Sequence, residues 1–179
     1  MRTSKILSFA GGYLRILEVN DVHDEYVNGL NNLEINFFLD AVKGVIQTKE
    51  SVKKYVSLNA DSENSLLFGI WINEIKEHIG TIRVHSIDFR HRIASIGVCI
   101  FNKRAQGRGV GAKAIQIATQ WVFENFDLRW IEAGIYAANY VSQKAFERAG
   151  YEWIVDFPGK YLHEGHPADI KIYAYKNSK

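Results

Sequence analysis

The chain has 179 residues, with 22 Lys and Arg against 20 Asp and Glu, for a formal net charge of +2. That length suits a single domain spanning 1–179 with a sizeable core, and a charge so near balance excludes a broad nucleic-acid-binding surface. Cys99 is the lone cysteine, so no internal disulfide can form, and no apolar run suits a signal peptide or a membrane span. A reducing, cytoplasmic setting is expected.

In chain order, Tyr13–Val19 alternates as a strand, with Leu14 and Ile16 on one side and Arg15 and Leu17 on the other. Asp21–Leu30 reads as a helix with Asp21 as its N-cap. Asn31–Gly44 is irregular, and Thr48 opens a second helix over Thr48–Leu58. Ser65–Asn73 and Glu77–Asp88 read as a hairpin joined around Glu74–Lys76, with Gly80 at a bulge. Arg90–Arg92 is a short polar turn into an apolar strand, Ala94–Phe101. A long helix is expected over Ala112–Phe126, then a strand at Arg129–Ala137 and a helix at Asn139–Ala149. Tyr151–Phe157 and Ala168–Tyr175 form a final strand pair, the latter aromatic enough to pair with a second copy in a homodimer. The fold class is α+β: a mixed, mostly antiparallel twisted sheet flanked by helices, with one central crossover. Aromatic residues make up 13% of the chain, which suggests a pocket or interface beyond the core.

Between the strand and the long helix lies Gln106-Gly107-Arg108-Gly109-Val110-Gly111-Ala112. A strand, a glycine-rich turn and a helix start together make a phosphate site. Glycines let the backbone approach the ligand, and first-turn N–H groups lack helical partners. The helix dipole adds partial positive charge there, and Lys103, Arg104 and Arg108 add full charges. The Walker A pattern would need Gly-Lys-Ser/Thr after the second glycine. A dinucleotide fingerprint would need a different glycine spacing near the start of a parallel unit. Neither fits.

The segment resembles Gln/Arg-x-x-Gly-x-Gly/Ala, the acetyl-coenzyme A diphosphate loop of the GNAT acyltransferase superfamily. Arg104 with Gly107 and Gly109, or Gln106 with Gly109 and Gly111, satisfies it; the second register is preferred because it sets the last glycine at the expected helix start. Downstream, Asn139-Tyr140-Val141-Ser142 with Gly150-Tyr151 resembles that superfamily's Asn-x-x-Ser…Gly-Phe/Tyr segment. The resemblance runs from about Tyr13 to Tyr175 and implies a sheet splayed around a central acetyl-CoA cleft. It implies acetyl-CoA as cosubstrate, no metal, and attack of an amine on the thioester without a covalent acyl-enzyme. On this reading Val98 and Ile100 present backbone donors, with Gly97 permitting a bulge that splays the strand. Arg104, Gln106, Gly107, Arg108, Gly109, Val110, Gly111 and Ala112 hold the diphosphate, and Asn139 and Ser142 position the coenzyme.

Many members carry a Tyr at the position of Phe146 to protonate the leaving thiolate, and Phe cannot donate a proton. The subgroup resembling ribosomal-protein N-terminal acetyltransferases also lacks it, which makes Ser142 the candidate acid, with Tyr136 and Tyr140 as spare donors. Candidate bases are His85, whose ordinary pKa suits proton removal near neutrality, Glu132 in the strand Arg129–Ala137, and Glu34 in the irregular loop. Leu30–Leu39 and Tyr161-Leu162-His163-Glu164-Gly165 resemble segments of members acting on nucleotide-linked amino sugars. Arg83, Arg90, His91 and Arg92, with Trp71 and Tyr161, are then candidates to meet a diphosphate and a base. The expected reaction is acetyl transfer to a small-molecule amine, a nucleotide-linked amino sugar. The alternatives are the N-terminal amine of a protein such as a ribosomal protein, or a catalytically silent acyl-CoA-binding module.

Overall fold

The structure, a computed structural model, describes residues 6–73 and 77–177, and the expected hairpin turn Glu74–Lys76 lies outside them. Eight strands form one sheet: β1 (Leu7–Phe9), β2 (Gly12–Ile16), β3 (Leu66–Ile72), β4 (Glu77–Asp88), β5 (Ile93–Ile100), β6 (Trp130–Tyr136), β7 (Glu152–His163) and β8 (His166–Lys176). Their spatial order is β1-β2-β3-β4-β5-β6-β8-β7. All neighbours are antiparallel except β5 and β6. Four helices accompany them: α1 (Asp24–Asn31), α2 (Lys49–Ala60), α3 (Val110–Asn125) and α4 (Tyr140–Arg148). This is the α+β arrangement that the resemblance implies.

The two faces of the sheet are covered separately. β3, the run LLFGIWI, is buried at every position, as an apolar strand between two layers must be. On one face Ala114, Ile115, Ala118 and Val122 of α3, at helical spacing, pack on Phe68, Ile82 and Ile96. On the other, Tyr26 and Leu30 of α1 and Val52 and Val56 of α2 pack on Leu67, Trp71 and Phe101. Each of the Val, Leu, Ile and Phe side chains contributes roughly 1.5–3 kcal/mol by leaving water. Beyond β5 the second face has no helix, and Gly134 of β6 is exposed there.

Thr48 caps α2 as expected, accepting from Ser51 N while Ser51 accepts from the backbone of Thr48. The first helix begins later than its sequence suggests. His23 is the N-cap of α1, because Asp21 sits in a short 3-10 turn and is taken by Arg15 at 2.5 and 2.7 Å. A bulge does fall beside Gly80, where Ile70 faces Gly80 and Trp71 faces His78. Gly97 makes none: Arg83 faces it in an unbroken ladder from Gly80↔Ile100 to His85↔Ser95. The strand containing Ala168–Tyr175 is not an edge either. β8 is paired on both sides, and β7 forms the edge. Its Pro158 cannot donate to a further ladder. Among the described residues no helix is long and apolar enough to cross a membrane.

Candidate active site

β5 and β6 pair only through Ile93, Ala94 and Ser95 with Trp130, Ile131 and Glu132, and then part. β5 continues alone on that side to Ile100, and the cleft opened by the split has a volume of about 440 Å³. Val98, Cys99 and Ile100 line one wall. The glycine-rich turn and the start of α3 close one end, α4 forms the opposite wall, and Glu34, Ile35, Phe38 and Leu39 of the loop after α1 overhang it.

The turn is held by its own polar groups. Asn102 accepts from Arg104 N at 3.0 Å, and Gln106 Nε2 donates to Ile100 O at 2.9 Å, tying the loop to the end of β5. Gly107 (φ +73°) and Gly109 (φ +75°) adopt the left-handed conformation, and a Cβ at either would meet nothing within 4 Å. Conformation and access, not crowding, require glycine here. α3 begins at Val110 with Gly109 as N-cap, two residues before the expected Ala112. The glycine at the helix start is therefore Gly109, and Gly111 lies inside the first turn. Its missing side chain leaves space beside Ile100, whose nearest atom is 3.7 Å from a Cβ there. The first helical bond of α3 runs from Lys113 N to Gly109 O at 3.3 Å, so the N–H groups of Val110, Gly111 and Ala112 precede the ladder. They give the cleft end its positive pole.

On α4, Asn139 accepts from Ser142 N at 3.1 Å as the N-cap, and both residues line the cleft. Val141, Lys144, Ala145 and Arg148 line it too, one helical stripe whose spacing was readable but whose direction was not. Val141 is 78% exposed, an apolar side chain facing the cleft. Phe146 points elsewhere, buried against Tyr151 at a ring distance of 5.1 Å. Burial pushes the Cys99 thiol up to about 12, so this cleft residue stays a protonated thiol near neutrality and is a poor nucleophile.

Several expected residues are not brought here. His85 pairs with Ser95 near the far end of β5, with Nδ1 3.1 Å from Ser86 Oγ; burial and the neighbouring Arg83 lower its pKa. Glu132 accepts from Trp130 Nε1 at 2.9 Å and does not line the cleft. Arg90, His91 and Arg92 occupy the β4–β5 turn, where Arg92 is paired with Asp127. Val98 and Ile100 lie six and eight residues beyond Arg92, roughly 20–26 Å away at strand rise. Arg83 donates to Ser65 Oγ at 3.1 Å. Trp71 is buried between Tyr13 and His78, at 5.4 and 4.7 Å. Burial and strand length thus remove the cluster expected to hold a nucleotide. Arg104 and Arg108 are exposed on the loop and do not line the cleft. Glu34 does line it and is ion-paired with Lys103. Tyr140 is 69% exposed.

The segments expected around the acceptor do meet over the cleft mouth, but in a pairing the sequence does not show. Tyr136 donates its hydroxyl to Asp40, 2.8 and 2.7 Å from the two carboxylate oxygens. Its ring lies 5.5 Å from Phe38, 5.0 Å from His163 and 6.2 Å from Tyr161. Burial, followed by the bond to Asp40, raises the Tyr136 pKa, so its proton stays on. Among the described residues no cluster of three or more His, Cys, Asp or Glu is placed to hold a metal ion.

Residues 13–152 match the family model described as an acetyltransferase (GNAT) domain. A curated relative, the probable N-acetyltransferase YjcK of Bacillus subtilis (strain 168), is 25% identical over 147 residues, covering 78% of this chain and 79% of that protein. The solved ribosomal L7/L12 alpha-N-protein acetyltransferase RimL, in complex with coenzyme A, superposes with a TM-score of 0.83 at 17% identity, covering 96% and 98% of the two chains. The spermidine N-acetyltransferase from Vibrio cholerae, in complex with CoA and spermine, gives a TM-score of 0.83 at 20% identity, again covering 96% and 98%. At such identities the two structures establish the fold.

Proposed function

The chain belongs to the GNAT acetyltransferase family, and from that premise we propose that it transfers acetyl from acetyl-CoA to the amine of an amino sugar. The observation that carries the coenzyme assignment is the meeting of three features in one cleft. These are the parted β5 and β6, the left-handed Gly107 and Gly109, and the unpaired N–H groups at the start of α3.

Acetyl-CoA supplies an activated acyl group as a thioester. Its diphosphate suits the backbone N–H groups of residues 107–112, with Arg104 and Arg108 adding charge from the loop. Lys144 and Arg148, one turn apart on the facing wall, supply cations for further phosphate oxygens. Backbone donors of Val98 and Ile100 suit the pantetheine arm and the thioester carbonyl, while Asn139 orients the start of α4. In the reaction a base first takes one proton from the substrate ammonium, since only the neutral amine is nucleophilic. The amine nitrogen then attacks, an N–C bond forms and the C–S bond breaks. The second nitrogen proton, released as the amide forms, returns to Ser142 the one it gives the thiolate. Glu34 is the one acid among the expected bases that lines the cleft. The thiolate takes a proton from Ser142. A protonated Cys99 supports direct transfer over an acyl-cysteine.

The acceptor reading rests on the cap. Phe37, Phe38, Tyr136 and Tyr161 offer ring faces, Asp40 a carboxylate and His163 a ring nitrogen, a mixture suited to a hydroxylated ring. A polyamine would want unpaired acids. Here Glu34 is held by Lys103, Glu164 by Lys43 and Asp40 by Tyr136, while Asp169 accepts from Gly159 N. A nucleotide carrier draws no support from the Arg90–Arg92 turn. Calorimetry with acetyl-CoA, then thiol release with 4-amino-sugar nucleotides, free amino sugars, spermidine and ribosomal N-terminal peptides, tests the proposal. Uptake of acetyl-CoA with release on the sugars is expected. No uptake at millimolar coenzyme refutes the cofactor, and release on peptides or spermidine alone refutes the acceptor.

A further inference from the structure

The loop 31–44 and the tip of the β7–β8 hairpin meet over the cleft mouth, and His163 is their hub. Its ring stacks on Phe38 at 5.3 Å and 24°, and it lies 4.7 Å from Phe37 and 5.0 Å from Tyr136. Lys43 Nζ sits 3.4 Å from His163 Nε2 and 3.3 Å from Glu164 Oε1, and lies 4.3 Å from the centre of the Phe37 ring.

An ammonium has no lone pair, so Lys43 can only donate to Nε2. A ring that accepts at Nε2 and is neutral carries its hydrogen on Nδ1. That Nδ1 is buried and has no hydrogen-bond partner. Buried donors are nearly always satisfied, so one left open behind Phe38, a wall residue of the cleft, wants an acceptor from outside the chain. The rings around it offer no strong acceptor, and the match is an oxygen.

We infer that His163, held by Lys43 as its Nδ1–H tautomer, is a specificity-determining residue that donates to an oxygen on the carbon adjacent to the one bearing the acceptor's amine. The inference rests on the acetyl-transfer reading and deepens it: it selects a vicinal amino alcohol, as in an amino sugar, over a plain alkylamine. His163 moves no proton in the reaction; it lies behind Phe38, which lines the cleft, so the acceptor oxygen meets Nδ1 when that ring turns aside, and the bond then holds the acceptor in register.

Two measurements test it. In protein labelled with 15N-histidine, long-range 1H–15N spectra should show His163 as the Nδ1–H tautomer, and Lys43→Met should release it to the Nε2–H form. An Nε2–H tautomer in the unaltered protein overturns the inference without reference to any substrate. Kinetics then use a UDP-linked 4-amino-4,6-dideoxyglucose, its 3-deoxy counterpart, and an alanine-initiated peptide whose α-amine neighbours a carbonyl. On whichever of these is turned over, His163→Phe keeps the stacked ring and should raise the acceptor KM about 10- to 100-fold. His163→Asn restores an N–H near the Nδ1 position and should recover most of that, and coenzyme affinity should hold throughout. Equal KM for His163→Phe and the unaltered enzyme, or equal use of the 3-deoxy sugar, overturns the inference. Turnover of the peptide alone, with the same variant pattern, upholds the donor and refutes the amino-sugar acceptor.

Discussion

Acidification should destabilise this protein through one buried histidine pair. His78 lies among Trp71, Tyr26 and Phe101, with ring centres 4.7–5.3 Å away. Its hydrogen bonds fix where every proton sits. Tyr26 N–H donates to His23 Nδ1 at 3.3 Å, so the hydrogen of a neutral His23 is on Nε2. That hydrogen points at His78 Nδ1, 3.2 Å away, which leaves His78 Nε2–H to donate to Gly80 O at 2.9 Å. A proton added to His78 Nδ1 would set two donors face to face. Burial first, and then His23, lower the His78 pKa to about 4. An ordinary histidine titrates near 6.5.

The unfolded chain therefore binds the proton more readily than the folded one. Stability from this residue is complete above pH 6.5 and drains away as pH falls towards 4. Below that, both states are protonated and nothing further is lost. The interval corresponds to about 3 kcal/mol at full effect, a large share of a typical stability of 5–15 kcal/mol. The assay is urea unfolding of the unaltered protein and His78→Gln across pH 7.5 to 4. The glutamine amide keeps a donor for Gly80 O and does not titrate. The stability advantage of the unaltered protein should shrink by about 3 kcal/mol over that range. An advantage that stays constant refutes the tautomer argument and the depressed pKa together. Because Phe101 packs on His78 and leads into the glycine-rich turn, coenzyme affinity should weaken in the same window.

Gly109→Ala forces an L side chain into φ +75° without a clash; about 1 kcal/mol of stability should be lost by urea titration, whereas calorimetry should show acetyl-CoA affinity falling more than about tenfold. Unchanged affinity would remove the turn from the coenzyme site. Ser142→Ala should lower kcat about 10²-fold with coenzyme affinity intact, the loss typical of a missing general acid, while His85→Ala should leave kcat unchanged; the reverse pattern would relocate the chemistry to the β4–β5 side. Tyr136→Phe removes the donor to Asp40 and should cost about 1 kcal/mol in thermal unfolding, with a raised acceptor KM; a lowered coenzyme affinity instead would contradict the placement of this pair at the acceptor mouth.

What could be read from the sequence was what the backbone itself demands. Gly107 and Gly109 are written into the chain because no other residue takes their conformation easily, and Asn139 because a helix start wants an oxygen acceptor. The α4 stripe was present as periodicity, but a period does not say which neighbour it faces. The residues of the cap were among the candidates, but their pairing was invisible for a different reason. Tyr136 is 96 residues from Asp40, and His163 is 120 from Lys43; only the folded chain brings them together. The same cause misdirected the arginines. Arg90–Arg92 is a compact basic run in sequence, yet a strand carries its charge to the opposite end of β5 from the cleft. Asp21 looked like a helix cap because it is the right residue type, but Arg15 on the neighbouring strand competes for it and wins with two bonds.

The case for a working enzyme over a silent coenzyme binder turns on Phe146. A ring there cannot protonate a thiolate, but it also does not face the cleft: it fills the space beside Tyr151, whose hydroxyl lies 2.7 Å from Thr119 Oγ1. The hydroxyl available to the cleft wall of α4 belongs to Ser142, one turn earlier, whose N–H is already fixed by Asn139. The missing tyrosine therefore removes one donor from a position this chain uses for packing and leaves another, Ser142, on the cleft wall, where the proposed reaction needs it. A binder with no reaction to run would have no need of an open acceptor mouth capped by Asp40, Tyr136 and an unsatisfied His163. With coenzyme at one end of such a cleft, as proposed, the polar groups at the other end have a purpose only if a second substrate arrives.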